Sequence, residues 1–81
     1  MQNTPVRTVF DVITDFLASE PSAEKIINYH LPEDLQERAH YLLERNGEDL
    51  LSPTELEEMQ NFMRADEMIA LLKAKLKLKQ R

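Results

Sequence analysis

Apolar residues recur along this chain at steps of three and four, the spacing of one helix face, in four stretches bounded by proline or glycine. The first comprises Val6, Val9, Phe10, Ile13, Phe16 and Leu17. It predicts a helix over about 5–18, with Thr4 as N-cap and Pro5 at the first helical position. Val9, Val12, Ile13 and Thr14 are β-branched and lean towards strand, but their spacing is helical. Glu20 precedes Pro21 and is steered away from helical geometry, so a turn is expected there. Ser22-Ala23-Glu24 opens a short helix over about 22–30 that faces Ile26, Ile27 and Tyr29 inward. A third, over about 33–46, starts at Pro32-Glu33-Asp34, whose acids suit the positive end of the helix dipole. It is expected to bury Leu35, Ala39, Leu42 and Leu43 and to close on Gly47 as a left-handed cap. Ser52-Pro53-Thr54-Glu55 then combines a capping box with proline at the first helical position. The helix it starts, over about 53–79, aligns Leu56, Met59, Phe62, Ala65, Ile69, Leu72 and Leu76 in one stripe. The elements predict an all-α fold: a single small helical domain of three short-to-medium helices and one long C-terminal helix.

Two features of the last helix stand apart. Met68-Ile69-Ala70-Leu71-Leu72 is apolar on every side for more than one turn, whereas a surface helix needs only one apolar stripe. Lys73, Lys75, Lys77, Lys79 and Arg81 then follow at every second position. Their period-two alternation is strand-like, but each residue is a good helix former and no turn signal intervenes. Charge divides at the same place. Residues 1–67 carry five Lys/Arg against fifteen Asp/Glu, a net of −10, and residues 68–81 carry five Lys/Arg and no acid, a net of +5. Solubilising lysines are the ordinary explanation of such an end. The apolar run is the stronger signal and points to association with a protein partner or with a second copy.

Composition narrows the function classes. At 81 residues a single core gives only a few kcal/mol of net stability, and no cysteine is present to add a disulfide or a thiolate metal site. The absence of cysteine fits a reducing compartment. No segment reaches the ~18–20 apolar residues of a membrane span, and Met1-Gln2-Asn3-Thr4-Pro5 is too polar for a signal peptide, so a cytoplasmic location is expected. A net charge of −5 disfavours nucleic-acid binding by the body of the protein and leaves only the basic end for that role. On a helix those lysines surround the axis instead of forming one face.

Candidate chemistry is sparse. Aligning Glu44 with the first position of a calcium-binding EF-hand loop brings Asn46, Glu48, Ser52 and Glu55 onto ligand positions. Asp49 then stands where the sharp turn needs glycine, and a short loop between two helix caps accounts for the same residues. Glu37-Arg38-Ala39-His40 matches the Glu-x-x-His unit of di-iron bundles without the second unit such a site requires. His40 and Glu44 share a helix face, and His30 is the only other histidine. Ser19, Ser22 and Ser52 sit at helix boundaries, where capping explains them. One glycine excludes a glycine-rich phosphate loop. The chain reads as non-enzymatic, with no cofactor and no metal ligand set.

The segments Leu35-Gln36-Glu37-Arg38, Leu42-Leu43-Glu44-Arg45-Asn46-Gly47-Glu48, Leu51-Ser52-Pro53-Thr54-Glu55-Leu56-Glu57 and Leu72-Lys73-Ala74-Lys75 cover about half of the chain. Through them it resembles a family of small uncharacterised bacterial proteins, largely cyanobacterial, often encoded beside nucleases such as HNH endonucleases or PIN-type toxins. Family members often read Lys-Asn-Arg at the turn, followed by a residue or two and then a glycine; here Gly47 directly follows Asn46, so the loop departs from that pattern. The resemblance implies an antitoxin-like or accessory partner of a nuclease and assigns no functional residue.

Taken together, the expected function is a protein-interaction module. Its candidate residues are Met68, Ile69, Leu71, Leu72 and Leu76 with Lys73, Lys75 and Lys77, and a homodimer is expected. A metal-binding regulatory module using the 44–55 loop, or nucleic-acid contact through the basic end, are the alternatives.

Overall fold

The structure, a computed structural model, describes residues 8–79 and is all-α. Its first helix, α1, spans Val9–Ala18 and is started by Thr8, which is extended (φ −82°, ψ 162°) and closes a capping box with Asp11. The Asp11 N–H donates to Thr8 Oγ1 at 3.1 Å, and the Thr8 N–H points back at the Asp11 carboxylate. The expected start at Thr4-Pro5 lies outside the described residues; the described helix begins at Val9, directly after the extended Thr8. At the other end Glu20 takes a positive φ of 56°, and its N–H bonds the Leu17 carbonyl. Pro21 has no N–H to close the turn onto Phe16, and the Ser19 hydroxyl and amide donate to that carbonyl instead.

Helix α2, Ala23–Ile27, is a single capped turn whose Lys25 N–H donates to Ser22 Oγ. It is shorter than the expected 22–30 because Asn28 and Tyr29 bond back to Glu24 and Ile26 and end it. Helix α3, Glu33–Gly47, has no side-chain cap; the Pro32 carbonyl accepts from Leu35 and Gln36. Its end corrects the expectation for Gly47, which stays helical. The left-handed residue is Asp49 (φ 59°), two positions on. Leu50 N–H reaches the Arg45 carbonyl at 2.9 Å and Asp49 N–H reaches that of Asn46 at 3.1 Å, the paired bonds of a Schellman motif.

Helix α4, Pro53–Lys79, is 27 residues long and, at 1.5 Å per residue, about 40 Å from end to end, nearly the 45 Å length of the molecule. The three shorter helices each make their principal packing against it. Val9, Val12 and Ile13 of α1, Leu35 and Leu42 of α3, and Met59, Phe62, Ala65 and Ile69 of α4 form the core. Leu17, Tyr29, Leu31, Ala39, Tyr41 and Leu51 close over it, and Phe16 stacks on Tyr29 with ring centroids 4.1 Å apart.

Three expectations about the core are corrected. Leu43 is 53% exposed, because α3 meets essentially one helix and buries only the narrow face bearing Leu35, Arg38 and Leu42. Leu56 is exposed and Glu55, one position earlier, takes its place in the stripe. Phe10 lies at the surface while Val12, beside Ile13, is buried.

Candidate interaction surface

The distal half of α4 separates into two faces. Inward, Ile69 is buried in the core, and Leu72 and Leu76 are half-buried. Lys73 belongs to this side too: its Nζ donates to the Tyr29 carbonyl at 2.7 Å, fastening the segment after α2 to the long helix. Ile69 is therefore a correction, since the core takes it up, and Lys73 is half-buried and engaged by the fold itself. Outward, Met68 is 44% and Leu71 58% exposed, and Lys75 and Lys77 are exposed. Sequence reasoning missed Leu78, 66% exposed, and the exposed Ala74 between it and Leu71. The signal was available as steps of three and four from Met68, but the alternating lysines obscured it.

Met68, Leu71, Ala74 and Leu78 fall within an arc of about 120° at 100° per residue, nearly opposite the core face. The five-residue apolar run thus resolves into Ile69 and Leu72 turned to the core and Met68, Ala70 and Leu71 turned to solvent. Towards the N-terminal half of α4 the outer arc carries Glu57, Gln60, Arg64 and Glu67, all exposed, with exposed Leu56 and Met63 along one edge.

The proximal half of α4 holds the principal charged cluster. Arg38, 7% exposed, donates from Nε and Nη2 to the two oxygens of Glu58, each at 2.9 Å, and its Nη2 lies 3.9 Å from Glu55. The hydrogen bond to Glu58 raises the guanidinium pKa, burial opposes that, and the charges of Glu58 and Glu55 add to the rise. Glu55 also receives the Ser52 N–H while its own N–H donates to Ser52 Oγ, so this capping box is tied to the ion pair. The guanidinium carbons of Arg38 and Arg45 lie 5.0 and 5.2 Å from the Tyr41 ring centroid, as cation–π partners. The cluster joins α3 to α4.

The residues of the EF-hand alignment are engaged in local structure: Glu44 and Asn46 lie within α3, and Ser52 and Glu55 form the cap of α4. Glu37, His40 and Glu44 are exposed along α3, and His30 is exposed in the loop before it. Among the described residues no three His, Asp or Glu side chains gather as a metal site. A cleft of about 240 Å³ lies between α4 and the segment after α2, floored by Ile13, Ala65 and Ile69 and rimmed by His30, Asp66 and Lys73. Among the described residues no helix is long and apolar enough to cross a membrane.

No protein family, curated protein or solved structure matches the chain.

Proposed function

We propose that this protein is a non-enzymatic interaction module that docks a protein partner on the outer face of distal α4. The observation that carries this reading is the stripe Met68–Leu71–Ala74–Leu78. Its three large apolar side chains stay exposed on a helix whose opposite face already supplies the core. Buried apolar area is the main source of association energy, and apolar positions at three- and four-residue steps are how one helix engages another. Lys75 and Lys77 stand near the stripe and favour an acidic counterpart. The resemblance to proteins encoded beside nucleases directs the search to a nuclease held in check by this module in the cytoplasm.

The test compares two immobilised baits, the native chain and a Leu71→Glu/Leu78→Glu variant, in extract of the native cell. A protein retained by the first alone is then co-expressed with the chain and assayed for nuclease activity. The expected result is a stoichiometric complex, lost in the variant, in which nuclease activity is suppressed. Identical capture by both baits overturns the docking surface, and unimpaired nuclease activity in the complex overturns the inhibitory role.

A further inference from the structure

The geometry points to a second site, separate from the outer face of α4: the cleft between α4 and the segment after α2 binds a medium-chain monocarboxylate. Its carboxylate sits on Lys73 and its aliphatic chain runs along α4 towards Asp66. The Lys73 ammonium carries the inference. It is half-buried at the rim of the cleft, and one of its three N–H groups donates to the Tyr29 carbonyl at 2.7 Å. Among the described residues no carboxylate pairs with it. A cation withdrawn from part of its water without a counter-charge is disfavoured, and an anion brought from outside relieves that. Two N–H donors remain to it, and a carboxylate accepts charge-assisted hydrogen bonds more strongly than a neutral group does.

The walls of the cleft set the rest of the ligand. Tyr29 and Leu31 are half-buried above Ile69, so the space beside Lys73 is apolar. Asp66 is exposed on the same side of α4, seven residues before Lys73 and therefore about 10 Å from it along the axis. An extended chain of about eight carbons spans that distance. Volume agrees with length. A cavity of about 150 Å³ accepts a six-carbon ring, and in proportion the cleft, of about 240 Å³, accepts the roughly ten non-hydrogen atoms of such an acid. With the carboxylate on Lys73, the far end of the chain lies beside Asp66, where a second negative charge is repelled. The cleft therefore selects a monocarboxylate over a dicarboxylate.

The test titrates the intact protein with octanoate and follows backbone amide shifts, with octanol and octanedioate as uncharged and doubly charged comparisons of the same chain length. Octanoate is expected to saturate with a dissociation constant of about 1 mM or tighter, within reach of a ligand of this size. Shifts should centre on Tyr29, Leu31, Ile69 and Lys73, and Tm should rise with octanoate concentration. Octanol and octanedioate should each bind about tenfold more weakly. In Lys73→Met the ratio of octanoate to octanol affinity should fall to about one; loss of the Tyr29 bond alone would weaken both and keep the ratio. Asp66→Lys, at an exposed position, should raise the affinity for octanedioate about tenfold. Leu71→Glu/Leu78→Glu should bind octanoate as the native chain does, and circular dichroism establishes that each variant remains helical. No saturable shift by about 10 mM octanoate, or shifts centred on Met68, Leu71 and Leu78, overturns the cleft as a site. Octanol bound as tightly as octanoate by the native chain, or an affinity ratio unmoved in Lys73→Met, overturns the role of the ammonium. Octanedioate affinity unmoved by Asp66→Lys overturns the direction in which the chain lies.

Discussion

Replacing Arg38 with alanine removes both hydrogen bonds to Glu58 and leaves Glu55 and Glu58 on adjacent turns of α4 with no cation between them. Charge-assisted hydrogen bonds contribute about 1.5–3 kcal/mol each, and breaking a buried ion pair costs about 3–5 kcal/mol. Solvent reduces that figure here. The Glu58 side chain is 28% exposed and recovers water when its partner goes, whereas Glu55, at 10%, recovers little and keeps its bond from Ser52. The expected loss is therefore about 2–3 kcal/mol, a large share of the ~4–12 kcal/mol available to a chain of this length. At 4–8 °C per kcal/mol it lowers Tm by about 10–20 °C. Thermal and urea unfolding followed by helix ellipticity measure the change, with Arg38→Met, Glu58→Gln and their combination completing a double-mutant cycle. A loss for Arg38→Ala below about 0.5 kcal/mol, the range of ordinary surface substitutions, would refute the assignment. So would an Arg38→Met effect of the same size with and without the Glu58 carboxylate. The raised pKa of Arg38 sets the sign of the pH dependence. A cation whose folded pKa is raised contributes fully below its unfolded value and loses that contribution as pH climbs through the folded one. Both lie in the strongly alkaline range, so the arginine itself produces no stability step near neutrality.

Three further measurements examine local structure. Gly47→Ala is expected to stabilise by about 0.5 kcal/mol, since the residue is helical with open space where a Cβ would go; Asp49→Gly is expected to gain about 0.5–1 kcal/mol by relieving a left-handed backbone, and destabilisation in either would contradict the Schellman assignment. Ser52→Ala removes one half of a capping box and should cost about 1 kcal/mol in urea unfolding. Lys73→Met should cost about 1 kcal/mol through loss of the bond to the Tyr29 carbonyl, while Lys77→Met should fall within about 0.5 kcal/mol of the native chain. Equal effects at the two lysines would mean that the fastening to Tyr29 contributes nothing.

What the amino-acid pattern could and could not reveal follows the range of the interactions concerned. The Ser52–Glu55 box is contained in four consecutive residues and was legible. Thr8 and Asp11 form the same motif, but Thr4-Pro5 offered a competing start that lies earlier in the chain. Gly47 drew the cap to itself because glycine adopts a left-handed backbone at least cost, whereas the hydrogen bonds place that conformation at Asp49. Burial of Arg38 could not be read locally, since its neutralising acids lie seventeen and twenty positions away on another helix. The apolar run at 68–72 is taken up by the core only in part, with Met68 and Leu71 left exposed. Assigning its residues to the inner and outer faces needed the axis of α4, and so Ile69 was grouped with a surface that it does not join.

The dependence of α1, α2 and α3 on α4 also sets the order in which the protein can acquire its structure during synthesis. The ribosome delivers the three shorter helices first, and each is too short to persist alone in water. Their common partner becomes complete inwardly only once Ile69 and Lys73 have cleared the exit tunnel. Until α4 follows them the shorter helices lack their common partner, and Val9, Val12, Ile13, Leu35 and Leu42 have no core to enter. A fragment ending before Ile69 lacks the inward face that gathers the shorter helices, and released fragments of graded length should gain protease resistance only once they include it.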